Sequence, residues 1–281
     1  MKKILIPTDF SENSWNAITY TLQLFKDETC AFHLLNTYTP IIFQYDYTSA
    51  SMSQFSLVDT MRNVSEAKLK EFMERIQQQF NNPKHLFSSS SAFNTLPLEI
   101  SELYNDNVVD MIAMGTKGAS GVKEVLFGSN TIHVLKNAKC PVLAIPSEFT
   151  FEAPREILFP SDYGINFQEK HIQPIIDIAS MYHSRINILN VRYEHELSEQ
   201  QKHNREKLEP FFKHIAHLFH DEKNQNIADA ITNFQLKTRI NLLVMINNKH
   251  SFFENLFFKS TINQIGFHLT IPFLVIPSKP N

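Results

Sequence analysis

The chain has 281 residues, of which 43% are hydrophobic and 20% charged, a composition typical of a soluble globular protein with two domains of about 140 residues each. Its formal net charge of -3, without a long basic block, gives no electrostatic reason to expect a nucleic acid or an anionic membrane as a partner. The apolar run from Ile4 to Ile6 is too short for a signal peptide, and no run is long enough to span a membrane, so we expect a cytoplasmic protein.

The first half of the chain alternates between short apolar runs of strand length and longer segments with helical spacing. On the first of these helices, Trp15, Ile18, Leu22 and Phe25 recur on one side. Strands are predicted at residues 3–7, 31–37, 85–88, 108–114 and 141–146. Helices are predicted at residues 12–25, 57–80 and 96–104, with a further helix beginning after Gly128. This alternation predicts a parallel α/β sheet with right-handed crossovers.

A glycine-bearing stretch follows the fourth predicted strand. Gly115 and Gly118 come directly after the strand, and after nine further residues Gly128 and Ser129 precede the next helix. Glycine permits a positive φ angle and close approach to the backbone, and Ser129 is a good N-cap residue. A phosphate therefore fits between the glycine loop and the amides of Gly128 and Ser129, at the positive end of the helix. The alternative is that these glycines merely make a turn.

The second half of the chain repeats the first. Residues 156–162 repeat residues 3–9, and residues 186–191 repeat residues 32–37. Residues 271–277 match residues 140–146 at an offset of 131. We therefore predict a tandem duplication with one domain at residues 1–147, a second at residues 154–281, and a linker between them.

The second copy lacks the glycines. At the same offset, Gly115 is replaced by Ile246, Gly118 by Lys249 and Gly128 by Lys259, whereas Ser129 corresponds to Ser260. A β-branched or long side chain penalises a positive φ and projects into the space of a phosphate. We expect the second domain to be a structural partner that has lost nucleotide binding; the alternative is that a remodelled loop binds a different ligand.

The spacing Gly-x2-Gly-x9-Gly-Ser after a strand resembles the ATP-binding signature of the universal stress protein (UspA-like) family. The two common nucleotide motifs, G-x-G-x-x-G and G-x-x-x-x-G-K-[ST], do not occur. The resemblance implies two tandem, doubly wound domains that are Rossmann-like and of the adenine nucleotide alpha hydrolase-like type. Each domain would hold a five-stranded parallel sheet, and the two would pack as an internal pseudo-dimer through antiparallel pairing of the closing strands.

The same resemblance implies which residues of the first domain meet an adenine nucleotide. Asp9 matches the acidic residue beside the adenosine. Thr37 matches a position whose backbone meets the adenine, although the family usually has valine there. The full set of implied binding residues is Pro7, Thr8, Asp9, Thr37, Met114, Gly115, Thr116, Lys117, Gly118, Gly128, Ser129 and Asn130.

Two members of this set have competing interpretations. Asp9 precedes a helix, so its carboxylate either caps that helix or accepts from ribose hydroxyls and holds a Mg²⁺ that bridges phosphate oxygens. Lys117 is either a phosphate contact or a solvated loop lysine.

The functional prediction is a nucleotide-responsive stress or regulatory module that binds ATP, or ADP or AMP, with or without Mg²⁺. No catalytic triad context and no residue that positions an attacking water is evident, so binding without fast turnover is favoured. The alternatives are a slow ATPase or other nucleotide-using enzyme with the same cradle, and a scaffold whose cradle stays empty. The regulatory protein partner is unknown, and association of two chains into a homodimer is left open.

Cysteine and histidine suggest no further chemistry. Cys30 and Cys140 each begin an apolar strand, which predicts buried thiols rather than a disulfide. His214, His217 and His220 are three residues apart, a spacing that does not bring three rings together on either a helix or a strand, so we expect no metal site there.

Overall fold

The computed structural model describes residues 1–39, 52–105, 109–116, 127–192, 196–248 and 270–278, with the backbone alone at residues 52–56 and 105. The chain forms two compact units, Met1–Asn137 and Ala138–Asn281. Lys117 and Gly118, together with Lys249, Lys259 and Ser260, lie outside the described residues.

The strands carry the apolar runs found in the sequence. Those of the first unit are β1 (Lys2–Pro7), β2 (Cys30–Thr37), β3 (His85–Ala92) and β4 (Met111–Gly115). Those of the second unit are β5 (Val142–Ile145), β6 (Glu156–Pro160), β7 (Arg185–Arg192), β8 (His217–Lys223), β9 (Leu242–Asn247) and β10 (Phe273–Pro277). β1, β4, β6 and β9 are buried over most of their length, as expected for strands covered on both faces.

The sheet of the first unit has the order β3-β2-β1-β4, and its strands pair in parallel. In the second unit the order is β5-β10-β9-β6-β7-β8. Every pair there is parallel except β5 with β10, which is antiparallel, with Leu143 opposite Leu274. The predicted Rossmann-like, doubly wound α/β fold is therefore confirmed, and so is the antiparallel pairing of the two closing strands.

Helices connect the strands. They are α1 (Glu12–Leu24), α2 (Met52–Gln79), α3 (Leu96–Asn105), α4 (Ser129–Asn137), α5 (Glu169–Tyr182), α6 (Glu199–Leu208) and α7 (Ile227–Lys237). Ser11 caps α1 by accepting from the Ser14 N–H, and the predicted apolar side of this helix is buried. No helix among the described residues is both long and apolar enough to cross a membrane.

Two elements extend beyond their predicted bounds by more than one residue. α2 begins at Met52 rather than at residue 57. β3 continues to Ala92 rather than stopping at residue 88, because its serines pair with β2 as a regular ladder although they give no apolar pattern. His33 supports this extension: its Nδ1 lies 2.8 Å from Ser88 Oγ and its Nε2 lies 2.7 Å from Ser90 Oγ.

The two cysteines are buried, and two of the three histidines at positions 214, 217 and 220 form hydrogen bonds within the fold. Cys30 and Cys140 are buried and do not form a disulfide, as predicted, and burial raises the pKa of the Cys30 thiol to about 11. His217 Nδ1 lies 2.8 Å from the Ile215 carbonyl, and His220 Nε2 lies 3.0 Å from Asn187 Oδ1. One nitrogen of each ring is therefore engaged within the fold.

Candidate functional site

A cleft of about 300 Å³ opens in the first unit where β1 and β4 end. The strand order reverses between these two strands, and ligands of open α/β sheets bind at such a switch point, beyond the carboxyl ends of the strands. The described residues that line the cleft are Pro7, Thr8, Asp9, Ser14, Leu35, Asn36, Thr37, Leu96, Met114, Gly115, Gly128, Ser129, Asn130 and Thr131. Its volume lies at the lower end of the range for small-molecule sites.

One end of the cleft is formed by the first turn of α4. The helical hydrogen bond at this end runs from the Ile132 N–H to the Gly128 carbonyl, at 3.0 Å. The N–H groups of Ser129, Asn130 and Thr131 therefore have no acceptor within the helix and carry its positive dipole end. Three such donors lining a cleft form an anion-binding arrangement suited to phosphate.

The geometry changes the expected role of Gly128. Its N–H donates to the Thr116 carbonyl at 2.8 Å and is therefore not available to an anion. Ser129 is the first helical residue rather than the N-cap. Thr131, buried within the turn, donates its hydroxyl to the Gly115 carbonyl at 3.0 Å. These bonds fix the start of α4 against the end of β4.

A second part of the cleft's lining is built on the turn from β1 into α1. The Thr8 N–H donates to the Leu35 carbonyl at 2.8 Å, and the Thr8 hydroxyl lies 2.9 Å from Ser14 Oγ. Phe10 takes the left-handed conformation, with φ of 63°, and its N–H donates to Thr8 Oγ1. Behind the turn, Asn36 Nδ2 donates to the Thr8 carbonyl at 2.7 Å. The turn is therefore held by both its backbone and its side chains.

Asp9 lies at the exposed tip of this turn. Its Oδ1 accepts from the Ser11 N–H at 3.1 Å and from the Ser11 hydroxyl at 2.6 Å. Ser11, not Asp9, caps α1, so the simple capping interpretation of Asp9 is replaced by an indirect one in which Asp9 orients the cap. No hydrogen bond to Oδ2 is recorded from the described residues, which leaves that oxygen able to meet a ligand in the cleft.

Nine of the twelve residues predicted for the site line this cleft. They are Pro7, Thr8, Asp9, Thr37, Met114, Gly115, Gly128, Ser129 and Asn130. Thr116 is buried beside the cleft and contributes the carbonyl that accepts from Gly128. Lys117 and Gly118 fall outside the described residues, so their assignment stays a prediction.

Five lining residues were missed from the sequence: Ser14, Leu35, Asn36, Leu96 and Thr131. Asn36 could have been identified from the sequence, because the pair Leu35-Asn36 recurs as Leu189-Asn190 near the end of the equivalent strand of the repeat. Ser14, Leu96 and Thr131 lie on helices whose pattern gave no reason to separate a ligand-facing residue from an ordinary one.

The equivalent turn of the second unit has the same backbone but different surroundings. Tyr163 takes a φ of 54°, and the Gly164 N–H donates to Asp162 Oδ1 at 2.9 Å. The side chains of Gln201 and Asn204 on α6 donate to the carbonyls of Asp162 and Tyr163. Burial raises the pKa of the Asp162 carboxyl above its usual value. The second turn is therefore covered where the first one opens into a cleft.

Comparison with known proteins agrees with this architecture. The model of the universal stress protein family matches residues 1–146. Universal stress protein MJ0577 of Methanocaldococcus jannaschii is 27% identical over 155 residues, which cover 51% of this chain and 94% of the relative. Universal stress protein MJ0531 of the same organism is 27% identical over 145 residues, which cover 51% of this chain and 81% of the relative.

A solved structure extends the likeness in fold to nearly the whole chain. The crystal structure of a universal stress protein from Archaeoglobus fulgidus superposes with a TM-score of 0.72 at 19% identity, covering 98% of both chains. The family model spans just over half of the chain, and the fold built on these residues is the one that the sequence resemblance implied. The chain therefore belongs to the universal stress protein family.

Proposed function

We propose that the first unit binds ATP in the cleft at the ends of β1 and β4, and that the protein acts as a nucleotide-responsive regulatory module. The observation that carries this proposal is the first turn of α4, whose N–H groups at Ser129, Asn130 and Thr131 have no intrahelical acceptor and line the cleft. A triphosphate satisfies these donors and the helix dipole together.

Other residues that line the cleft suit a nucleoside. Leu35, Leu96 and Met114 supply apolar surface for a base, and Asp9 supplies a carboxylate oxygen for ribose hydroxyls or for a Mg²⁺ shared with the phosphates. Leu96 begins α3 whereas Met114 lies on β4, so the base would be enclosed by separate elements.

Binding without fast turnover follows from the same set of residues. Asp9 is the one titratable side chain among the described residues that line the cleft. Its Oδ1 is already engaged by Ser11, and no second titratable group among the described lining residues is available to position an attacking water. An ADP release rate above about 0.1 per second would contradict this and favour the alternative, an ATPase, since typical enzymes turn over at about 1 to 1,000 per second.

The test is mass spectrometry of small molecules released from freshly purified, gently denatured protein. We expect one adenine nucleotide per chain. Two per chain would contradict the assignment of the second unit as unable to bind nucleotide, which rests on Ile246, Lys249 and Lys259. If none is found, titration with ATP and Mg²⁺ decides, and failure to bind at millimolar concentration would exclude the proposed function in favour of a scaffold.

A further inference from the structure

A line of side-chain hydrogen bonds runs from β3 through α2 to the cleft. Ser91 Oγ donates to Ser65 Oγ at 2.6 Å, and Ser65 Oγ donates to Asn36 Oδ1 at 2.7 Å. Asn36 Nδ2 then donates to the Thr8 carbonyl at 2.7 Å. All three bonds point in the same direction, so each group that donates is polarised by the group that donates to it.

The inner members of this line are buried. Ser65 is 3% exposed, Thr8 is 6% exposed and Asn36 is 9% exposed. Loss of Ser65 leaves the buried Asn36 Oδ1 without its donor, which costs more than the bond itself contributes, and loss of Ser91 removes the group that polarises and orients Ser65. The arrangement of Asn36, and with it the orientation of the Thr8 carbonyl, therefore depends on hydroxyl groups supplied by α2 and β3.

The Thr8 carbonyl belongs to the peptide group that leads into Asp9. Its orientation sets the direction in which Asp9 leaves β1 and the position of the Phe10 N–H, which donates to Thr8 Oγ1 at 3.1 Å. Because Phe10 has a positive φ, the turn is strained and needs its surroundings to hold it.

We infer that Asn36, Ser65 and Ser91 are positioning residues of the nucleotide site, which hold the Thr8–Asp9 peptide so that Asp9 faces a bound nucleotide. This inference rests on the proposed ATP binding. ATP affinity thereby depends on the contact between α2 and β3. β3 is separated from β1, which leads into the cleft, by β2.

The second unit contains half of this arrangement. Asn190 Nδ2 donates to the Ser161 carbonyl at 2.8 Å, as Asn36 does to Thr8. Asn190 Oδ1 is buried and has no hydrogen-bond partner among the described residues, whereas Asn36 Oδ1 accepts from Ser65. The complete line occurs in the unit that has the cleft, and Asn190 supplies a control for the stability effect of losing the asparagine alone.

Ser91 is the most informative position to change. It does not line the cleft, but lies in a separate groove of about 360 Å³ that Leu69 and Lys70 also line. Threonine keeps the hydroxyl of Ser91, whereas valine has nearly the same shape as threonine and lacks the hydroxyl, and both residues suit a strand. A difference between Ser91→Thr and Ser91→Val therefore reports the hydrogen bond and not the packing.

The experiment measures ATP affinity by calorimetry in the full chain. We expect Ser91→Thr to bind as the wild type does, Ser91→Val to bind about fivefold more weakly than Ser91→Thr, and Asn36→Leu to bind about tenfold more weakly than the wild type. Asn190→Leu should leave the ATP affinity unchanged. Equal affinities for Ser91→Thr and Ser91→Val, whether normal or reduced, would overturn the inference while ATP binding itself stands.

A second measurement needs no nucleotide. Hydrogen exchange of the amides in residues 8–14 should be faster in Ser91→Val than in Ser91→Thr, with no change in residues 161–167. If the wild type fails to bind ATP, the proposed function is wrong, and equal exchange in the two variants would then show that the line does not position the turn either.

Discussion

The two turns that follow β1 and β6 share a backbone but differ in what lies over them. In both, an aspartate accepts from the N–H two residues later, and the residue between takes a positive φ. In the first unit the turn faces a cleft closed by the start of α4. In the second, Gln201 and Asn204 on α6 donate to the turn's carbonyls, and Tyr163 is buried. The turn is therefore a structural part of the fold, and the proposed nucleotide binding depends on the cleft and the helix start beside it in the first unit.

The largest effect should come from filling the cleft of the first unit. We expect Gly128→Val to lower the affinity for ATP at least about 100-fold, because a branched side chain takes up phosphate space and disturbs the turn bonded to Thr116. Calorimetric titration measures the loss, and circular dichroism shows that the fold survives.

The matched control for this variant is His133→Val, which places the same residue on the exposed side of the same helix. It should bind ATP as the wild type does. An affinity of Gly128→Val within about threefold of the control would mean that the first turn of α4 is not the phosphate site.

An intermediate effect on ATP affinity should distinguish Asp9 from Asp162. Asp9→Ala removes the carboxylate that faces the cleft, and we expect about tenfold weaker ATP binding from the loss of one charge-assisted contact. Asp162→Ala removes the same turn acceptor in the second unit and should leave the affinity unchanged.

Thermal unfolding of both aspartate variants supplies the control. Each variant loses a side-chain acceptor of a turn, and so each should be less stable than the wild type. Equal loss of ATP affinity in Asp9→Ala and Asp162→Ala would assign both residues to the fold and neither to the ligand.

The smallest effect concerns pH. Burial raises the pKa of Asp162 in the folded protein, so the ionised carboxylate destabilises the second unit at neutral pH and its protonation relieves the penalty. Asp162→Asn keeps the acceptor for the Gly164 N–H without the charge. We expect it to be more stable than the wild type at pH 7.

The difference should shrink as the pH falls through the raised pKa of Asp162, and should vanish below the ordinary aspartate pKa of 3.8, where the carboxyl is neutral in both the folded and unfolded states. Denaturant titrations at several pH values measure it. A gap between variant and wild type that stays constant with pH would show that ionisation of Asp162 is not its origin.

The sequence predicted those parts of the molecule in which the residue type itself carries the information. Apolar runs marked most of the strands, although not β8, whose residues are largely polar, and the glycine spacing marked the end of β4 and the start of α4. The full length of β3 was not predicted, because the residues from Ser88 to Ser91 show no apolar alternation. They pair with β2 through backbone hydrogen bonds that any residue except proline can make.

The geometry of the cleft was predictable only in part. Gly128 was expected to offer its N–H to a phosphate, yet that N–H is committed to Thr116, a partner that a motif cannot reveal. Asn36 and Ser65 are 29 positions apart in the chain and meet only after α2 has packed on β2 and β3. Contacts of this kind follow from tertiary structure and leave no local pattern.

The positive φ angles of Phe10 and Tyr163 also bear on the history of the chain. An aromatic residue in this conformation costs on the order of 1 kcal/mol or more, and it is seldom adopted without need. Two separate origins of such a costly conformation at equivalent positions are improbable, so the strained turn was present in the ancestral half before duplication. The glycines have diverged separately from this turn, because Gly115 corresponds to Ile246 and Gly128 to Lys259 in the second half.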